Sequence, residues 1–137
     1  MYEIPENELS RSAFEVTSDE RYLILYTFSK IKNSWRKSII IKDLETNSGF
    51  ETLLTYPRRA SDYSLIDHIE NKFYLLTNNE ANNYKLICID TQTKETIVLI
   101  EETDYLLNQV SIISNKIIAV YYKQGLFKLK VFDAEGK

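Results

Sequence analysis

Cysteine, histidine, proline and glycine are scarce in this sequence. Its 137 residues include one cysteine, Cys88, one histidine, His68, two prolines and three glycines. A lone cysteine makes no internal disulfide, so nothing indicates an oxidising compartment. The sequence has no Gly-x-Ser-x-Gly nucleophile elbow and no glycine-rich phosphate loop. These absences argue against a serine-hydrolase centre and against a nucleotide site on this chain.

Long apolar runs and a marked charge excess are also missing. The net charge is −3, with lysine and arginine scattered among aspartate and glutamate. No basic stripe is present for a nucleic-acid backbone or an anionic membrane, and no apolar run approaches the roughly 18 residues that span a bilayer. The start of the sequence lacks the features of a signal peptide. We expect no nucleic-acid partner, no membrane partner and a cytoplasmic location.

Candidate catalytic and metal-binding residues are equally sparse. His68 and Cys88 stand 20 residues apart with no third soft ligand nearby, which does not match the spacing of a metal site. We expect Cys88 to pack in a core strand and His68 to pack at the end of a strand. The sequence therefore predicts no catalytic residue, no metal and no cofactor.

Aromatic and β-branched residues are abundant. The chain has ten tyrosines and six phenylalanines, and isoleucine, leucine, valine and threonine fill most of its other apolar segments, which favours pleated strands. Since glycine and proline are few, the turns rely on asparagine, aspartate, serine and lysine. This composition predicts an all-β fold.

A repeat of blade length runs through the chain. Three segments combine a polar and a charged residue with an apolar run, at 20–26, 71–77 and 115–121. A second apolar element follows each segment and ends on an aspartate: Asp43, Asp90 and Asp133. The intervals between these aspartates are 47 and 43 residues. Intervals of this length are typical of propeller blades.

Periodicity predicts four strands in each of the first two units and three in the third. The predicted strands are 13–17, 21–28, 36–44, 50–56, 63–69, 72–78, 84–90, 96–101, 107–113, 116–123 and 127–133. Four strands per unit is the propeller number, and the sequence ends at Lys137 where a fourth strand is expected. We predict one incomplete β-propeller domain over residues 1–137. It has about two and three-quarter four-stranded antiparallel blades, with units near 13–56, 63–101 and 107–137.

Several segments resemble the prolyl oligopeptidase family, in particular its oligopeptidase B (protease II) branch. The similarity is strongest over 54–68 and continues through 72–78 and 83–86, while 16–23 resembles the strand opening of the family's propellers. In that family a seven-bladed propeller caps an α/β-hydrolase domain and screens its active site from large proteins. The hydrolase domain cleaves short peptides, after basic residues in the oligopeptidase B branch.

The resemblance implies a non-catalytic propeller segment. The serine nucleophile is absent, and the family motif places His68 in the propeller, away from a catalytic triad. No α/β-hydrolase domain is expected on this chain, which should be inactive alone and should cap or gate a hydrolase domain carried elsewhere.

Two other functions stay open: a free-standing β-rich module that binds proteins or peptides, and an inactive remnant of a split peptidase gene. An incomplete propeller leaves blade faces uncovered. We therefore expect a homo-oligomer or a complex with a catalytic-domain chain, and short peptides as a further class of partner.

Three residues are candidates for interface or peptide-carboxylate contacts. Arg58 and Arg59 follow Pro57 between the first two units, where a guanidinium could hold a carboxylate of a peptide or a partner, or could pair structurally with Asp62. Trp35 follows a polar hairpin segment and either contributes to an interface or caps the edge of a blade.

Overall fold

The structure is a computed structural model that describes residues 10–57 and 61–137. Every element that it describes is a β-strand, and the strands form three antiparallel sheets. The predicted all-β fold of incomplete blades is confirmed. In the described ranges no helix is long and apolar enough to cross a membrane. The chain divides into two compact units, residues 1–60 and residues 61–137.

The first unit contains one four-stranded sheet, the first sheet, in the order β1-β2-β3-β4. Its strands are β1 (Ser10–Val16), β2 (Tyr22–Ile31), β3 (Ser34–Asp43) and β4 (Glu51–Pro57). The run of β-branched and aromatic residues in β2 and β3 favours paired central strands. Ile24, Ile39 and Ile41 are buried, so both central strands carry buried side chains.

The second unit contains a four-stranded second sheet and a three-stranded third sheet. The second sheet is formed by β5 (Tyr63–Ile69), β6 (Lys72–Thr77), β7 (Lys85–Asp90) and β8 (Thr96–Ile100), in that order. The third sheet is formed by β9 (Leu106–Ile113), β10 (Lys116–Lys123) and β11 (Leu126–Phe132), with β10 in the centre. All strands lie within three residues of their predicted bounds.

One apolar cluster joins the second and third sheets. It comprises Tyr74, Leu86, Cys88 and Ile100 from the second sheet and Leu107, Val110, Ile117, Ala119 and Tyr121 from the third. Successive side chains of a strand point to opposite faces, so each sheet contributes one face to this cluster. Full burial of each leucine or isoleucine is worth about 1.5–3 kcal/mol relative to exposure. The cluster therefore accounts for a large part of the stability of the unit.

The turn after β11 also docks on the second sheet. The hydroxyl of Tyr74 donates a hydrogen bond to the carbonyl oxygen of Ala134 at 3.1 Å. Gly136 has a φ of +83° and lies so close to β8 that an added Cβ would stand 2.4 Å from the carbonyl oxygen of Leu99. Only glycine fits this position without strain.

An aspartate caps the turn that follows the third strand of every sheet. Asp43 accepts the amide N–H of Glu45 at 3.0 Å. Asp90 accepts the N–H groups of Gln92 and Thr93 at 2.8 and 3.2 Å. The third carboxylate, Asp133, accepts those of Glu135 and Lys137 at 3.0 and 2.9 Å. These bonds explain why each repeat ends on aspartate, since a carboxylate can bond the backbone two residues onward.

The sequence alignment of the repeats is wrong by one residue in the first sheet. It places Arg21 level with Lys72, yet Asp43 pairs with Tyr22 whereas Asp90 pairs with Lys72. The aspartate fixes the register between the second and third strands of a sheet. The pair of polar and charged residues at the start of the second strand does not fix this register.

The corrected register aligns two side chains of different chemistry. Arg21 donates from Nη2 to Oδ2 of Asp43 at 3.1 Å, and Asn71 donates from Nδ2 to Oδ1 of Asp90 at 2.6 Å. Either side chain ties the start of the second strand to the capping aspartate. The shared element is therefore a donor to the aspartate, and a guanidinium or an amide can supply it.

Substitution of glycine tests the docking of the last turn on the second sheet. We expect Gly136→Ala to destabilise the fold by about 1–3 kcal/mol, because alanine is strained at this φ and its Cβ would meet the Leu99 carbonyl oxygen. Gly49→Ala is the matched control, since its Cβ would meet nothing within 4 Å. Urea unfolding measures both variants, and equal stability would show that the turn is not docked in solution.

The capping aspartates predict a loss of stability in acid. Hydrogen bonds lower the pKa of Asp90 below its ordinary value of 3.8, from the N–H of Gln92 first and then that of Thr93. A lowered folded-state pKa contributes stability that is present above the unfolded-state pKa and is lost as the pH falls through the folded-state value. We expect Asp90→Asn to destabilise the fold at pH 7, and the deficit relative to wild type to shrink below about pH 4.

The measurement is urea unfolding of both proteins between pH 7 and pH 3. Glu95→Gln, which removes an exposed carboxylate from the same turn, is the control for net charge. A deficit of Asp90→Asn that stays constant across this range would contradict the role of the carboxylate charge.

Candidate functional site

Of the three residues predicted to contact a partner or a peptide carboxylate, the structure describes Trp35. Arg58 and Arg59 lie outside the described residues, so their carboxylate contact stays a prediction. Trp35 is half-buried near the start of β3, where its ring stacks on Phe28 with the centroids 4.7 Å apart and the planes at 7°. The Lys30 ammonium lies 6.0 Å from the centre of the indole. This geometry covers the hairpin end of the first sheet, and an interface role for Trp35 stays a prediction.

The histidine and the cysteine are both held by packing. His68 donates from Nδ1 to the carbonyl oxygen of Glu70 at 2.8 Å, and its ring stacks on Phe73. In a catalytic triad this nitrogen would bond a carboxylate. Cys88 is buried in the cluster between the second and third sheets, and burial raises the pKa of its thiol to about 11. Such a thiol is a poor nucleophile at neutral pH.

One face of the third sheet carries exposed apolar side chains, and we call it the open face. Its apolar members are Ile113, Tyr122, Phe127, Leu129 and Val131, which are exposed, and Ile118 and Val120, which are half-buried; Gln109 and Ser111 lie on the same face. Phe127 and Leu129 are each 65% exposed and Val131 is 57% exposed. A contiguous apolar surface of this kind marks an interaction site more often than a solvent-facing sheet.

The same sheet has an open edge. β11 pairs with β10 through seven consecutive residue pairs without a bulge, and within the described residues it pairs with no other strand. Its counterparts β3 and β7 pair on both sides. An unpaired strand presents a row of main-chain donors and acceptors to any extended segment nearby.

Lysines and tyrosines line a cleft of about 170 Å³ beside this edge, and we call it the lysine–tyrosine cleft. Its lining residues are Thr103, Asp104, Tyr105, Tyr121, Lys128 and Lys130. The ammonium group of Lys128 lies 4.5 Å from the ring centre of Tyr105, and that of Lys130 lies 5.5 Å from the ring centre of Tyr121. These are distances at which a cation is attracted to an aromatic face.

Charge in the cleft is only partly compensated. Asp104 bonds the ammonium of Lys123 at 2.5 Å, and this hydrogen bond lowers the pKa of Asp104. The charge of Lys128 also lowers the pKa of Asp104, so this carboxylate offsets part of the positive charge in the cleft. The cleft therefore carries an excess of positive charge above two tyrosine rings, which favours an anionic group.

A second cleft, of about 380 Å³, lies where the last turn meets the second sheet. It is lined by residues of both charges: Ile69, Glu70, Lys72, Tyr74, Asn115, Asp133, Ala134 and Glu135. Burial raises the pKa of Tyr74 to about 12, so its hydroxyl stays a donor to Ala134. Tyr74, which lines this cleft, holds the last turn against the second sheet through that hydrogen bond.

The third sheet and the loop before it offer three kinds of binding surface. The described ranges contain no group of three or more histidine, cysteine, aspartate or glutamate side chains placed to hold a metal ion. The open face offers apolar area, the open edge offers main-chain hydrogen bonds, and the cleft offers positive charge. The open face and the open edge belong to the third sheet, and the cleft is lined by that sheet and by the loop before β9.

Sequence reasoning missed the lysine–tyrosine cleft. Its residues are spread over the loop before β9, the end of β10 and β11, and pairing of the strands brings them together. A signal was present in β11, where Phe127, Leu129 and Val131 alternate with Lys128 and Lys130. The alternation identifies a strand with two different faces, although it does not show which tyrosines the lysines contact.

Comparison with known proteins identifies a family and several relatives. The family described as "Prolyl oligopeptidase, N-terminal beta-propeller domain" matches residues 1–137. Prolyl oligopeptidase A from Galerina marginata is 25% identical over 131 residues, covering 92% of this chain and 17% of that protein. The Amanita bisporigera protein of the same name is 29% identical over 130 residues, covering 89% of this chain and 17% of that protein.

A solved structure shows the same likeness in three dimensions. The apo structure of prolyl oligopeptidase B from Galerina marginata superposes with a TM-score of 0.76 at 25% identity, over 98% of this chain and 20% of that one. This chain thus spans about a fifth or less of the length of these relatives. The relatives are named prolyl oligopeptidases, so the resemblance seen in the sequence is confirmed at the level of the family. The chain belongs to the prolyl oligopeptidase family and forms part of its N-terminal β-propeller domain.

Proposed function

We propose that this chain is a non-catalytic propeller segment that packs on further blades and helps to gate a prolyl oligopeptidase-type hydrolase domain. The observation that carries the proposal is the open face of the third sheet in a chain that matches the family's propeller over its whole length. An apolar face of this size costs free energy in water unless another element covers it. A propeller segment would use this face to join a larger assembly.

The internal repeat supports another blade as the element that covers the open face. Counted back from the capping aspartates, Leu129 and Val131 of the third sheet correspond to Leu86 and Cys88 of the second. In the second sheet these positions are buried beneath the third sheet. The third sheet thus repeats, on its open face, the surface to which a blade is already bound.

Peptides are the substrate class that the relatives support for the gated domain. A structure of prolyl oligopeptidase B from Galerina marginata is described as bound to a 35mer hydrolysis and macrocyclization substrate. The narrower likeness to oligopeptidase B implies cleavage after basic residues, whereas the relatives' names imply cleavage after proline. Our proposal therefore names short peptides and leaves the cleaved residue to experiment.

Co-purification from the native cells tests the gating proposal. We expect the tagged chain to copurify with a serine hydrolase that reacts with a fluorophosphonate probe and belongs to the same family. Val131→Glu should reduce this recovery at least tenfold, because a charge would be buried in the open face. Glu95→Gln is the surface control.

Two results would contradict the proposal. One is recovery of the chain with no family hydrolase under conditions that preserve other complexes. The other is turnover of proline-ended or arginine-ended fluorogenic peptides by the purified chain alone.

A homo-oligomer is the second candidate, and exposed apolar residues at a separate site favour it. In the first sheet Phe14 is 75% exposed and Val16 is 45% exposed, and both lie on the face that carries Leu23 and Leu25. The chain thus has uncovered apolar residues in its first sheet as well as its third. Copies that buried these surfaces against one another would form a self-contained binding module.

Light scattering coupled to size exclusion tests the homo-oligomer. We expect the purified chain to run as a dimer or larger species and Leu129→Glu to shift it toward monomer, while Glu95→Gln leaves the mass unchanged. Circular dichroism should show that Leu129→Glu keeps its strands, because the side chain is exposed. A wild-type monomer at all concentrations would rule out self-association.

Cytoplasmic location belongs to the same proposal, since a family hydrolase and this chain must share a compartment to meet. Fractionation of cells that express the tagged chain measures it directly. The inactive-remnant hypothesis predicts instead that the protein does not accumulate in those cells.

A further inference from the structure

We propose that the end of the hairpin formed by β2 and β3 binds an acidic segment of a polypeptide. This hairpin end comprises residues 28–37, and we call it the basic hairpin end. β2 and β3 lie between β1 and β4 in the first sheet, so the hairpin has a flanking strand on both sides. The inference concerns binding by the purified chain and does not depend on whether the chain gates a peptidase.

The first support is a concentration of positive charge in a chain whose net charge is −3. Four of the eight residues 30–37 are cationic: Lys30, Lys32, Arg36 and Lys37. No aspartate or glutamate occurs in the sequence between Glu20 and Asp43. The hairpin is therefore a local exception to the mixed charges of the chain.

Pairing with the outer strands adds no carboxylate at this end of the first sheet. Arg11 of β1 lies opposite Phe28 in the register of the sheet. The paired positions 10–11, 28–31, 34–37 and 56–57, together with the turn 32–33, contain five lysine or arginine residues and no aspartate or glutamate.

The acidic residues of the flanking strands are too distant to neutralise this end. Along β1 the first acidic residue after Arg11 is Glu15, at a distance of about 13 Å in an extended strand. Exposed charges more than about 8 Å apart are largely screened at physiological ionic strength. The basic hairpin end therefore keeps its positive charge and favours an anionic partner.

The basic hairpin end is also an extension that the second sheet lacks. β2 and β3 are each ten residues long, whereas β6 and β7 are each six residues long. Counted from the pairs that contain the capping aspartates, Thr27 corresponds to Thr77, the last residue of β6. Residues 28–31 therefore have no counterpart in β6, and the strand core that the two sheets share does not explain them.

Two stacked aromatic rings hold the extension in shape. Trp35 lies opposite Lys30 and Phe28 lies opposite Lys37, so these four side chains share one face. The rings of Phe28 and Trp35 stack across the diagonal with their centroids 4.7 Å apart. Both rings are half-buried, so their outer edges offer apolar contact area beside the cations.

The cations surround the turn. Lys32 is exposed in the turn itself, and Arg36 is exposed on the face opposite to Trp35. A guanidinium can hold a carboxylate through two parallel hydrogen bonds. An acidic segment that crosses the turn would contact Lys32 and Arg36 through its carboxylates and would pack an apolar side chain on the edge of Trp35.

A short acidic segment fits this site better than a nucleic acid or a membrane surface does. Those partners present extended arrays of negative charge and are bound by wide basic surfaces. Outside residues 28–37 the chain has 20 acidic residues against 13 lysines and arginines, which disfavours a long polyanion. Phe28 also covers one face of the indole of Trp35, a face on which a base would otherwise stack.

The most acidic stretch of this chain is a poorer match for the site. Residues 101–104 include three acids, but Glu102 accepts the N–H of Asn83 at 2.6 Å and Asp104 bonds the ammonium of Lys123 at 2.5 Å. A second copy would have to break these bonds to place 101–104 on the basic hairpin end. Self-association is therefore not the binding mode that we propose.

Tryptophan fluorescence tests the inference, because Trp35 is the only tryptophan of the chain and reports binding at the basic hairpin end directly. The probes are three short peptides without tryptophan, identical except that their charged positions carry glutamate, glutamine or lysine. We expect the glutamate peptide to change the emission of Trp35 and to bind about tenfold more tightly than the glutamine peptide, from two exposed charge pairs. At about 1 M salt, where the screening length is about 3 Å, this preference should disappear.

Charge reversal in the protein provides the decisive comparison. The double variant Lys32→Glu and Arg36→Glu leaves the aromatic stack in place and should invert the preference, so that the lysine peptide binds more tightly than the glutamate peptide. The matched control, Lys128→Glu with Lys130→Glu, reverses two exposed lysines of the lysine–tyrosine cleft and changes the net charge equally. It should keep the wild-type preference, and circular dichroism confirms that both double variants are folded.

Several results would overturn the proposal. Equal binding of the glutamate and glutamine peptides would show a purely apolar surface, and no response of Trp35 to the glutamate peptide would show that the hairpin end does not bind it. Tighter binding of an oligonucleotide or of vesicles that contain anionic lipid would show a general polyanion site. Loss of the preference in the Lys128 and Lys130 control would place the anion site in the lysine–tyrosine cleft.

Discussion

Each sheet of this chain carries apolar side chains on both faces, and the rest of the structure depends on how those faces are covered. A strand in a sheet with one wet face alternates apolar and polar residues, whereas β6 and β7 are apolar at nearly every central position. Such a sheet is soluble only between two other layers. Tyr74 and Cys88 occupy one face of the second sheet and contact the third sheet there. The stability of the second and third sheets therefore comes from the packing of one sheet on the other more than from the individual hairpins.

The capping aspartates give each sheet the same register, which this packing requires. Each of them accepts main-chain N–H groups of the turn that follows the third strand, and in the first two sheets it also receives a donor from the start of the second strand. The register of the central hairpin is thereby fixed at its end. Since a slip of one residue would turn the whole apolar set to the other face, a short polar turn determines which side chains reach the neighbouring sheet.

Much of the fold could be predicted from the sequence because its signals are local. Runs such as Phe73–Leu76 identify strands, and the spacing of the aspartates identifies the repeat. The repeats were aligned one residue out of register at Arg21. The sequence places a charged residue just before the second strand, but it does not show that this residue bonds the capping aspartate. The lysine–tyrosine cleft was not predictable for a related reason. Tyr105 and Lys128 are distant in sequence, and they meet only through pairing of β9, β10 and β11.

One face of the third sheet belongs to the folded core, and the other is available for association. Ile117 and Ala119 are buried against the second sheet, so changes at these positions alter the core of the folded unit. Leu129 and Val131 are exposed, and changes there leave that core intact while altering what the sheet can bind. The paired strands β10 and β11 thus contain both residues of the core and residues of the open face. In a repeat architecture each unit contacts only its neighbours, so substitutions in the core and on the open face have separable effects on folding and on association.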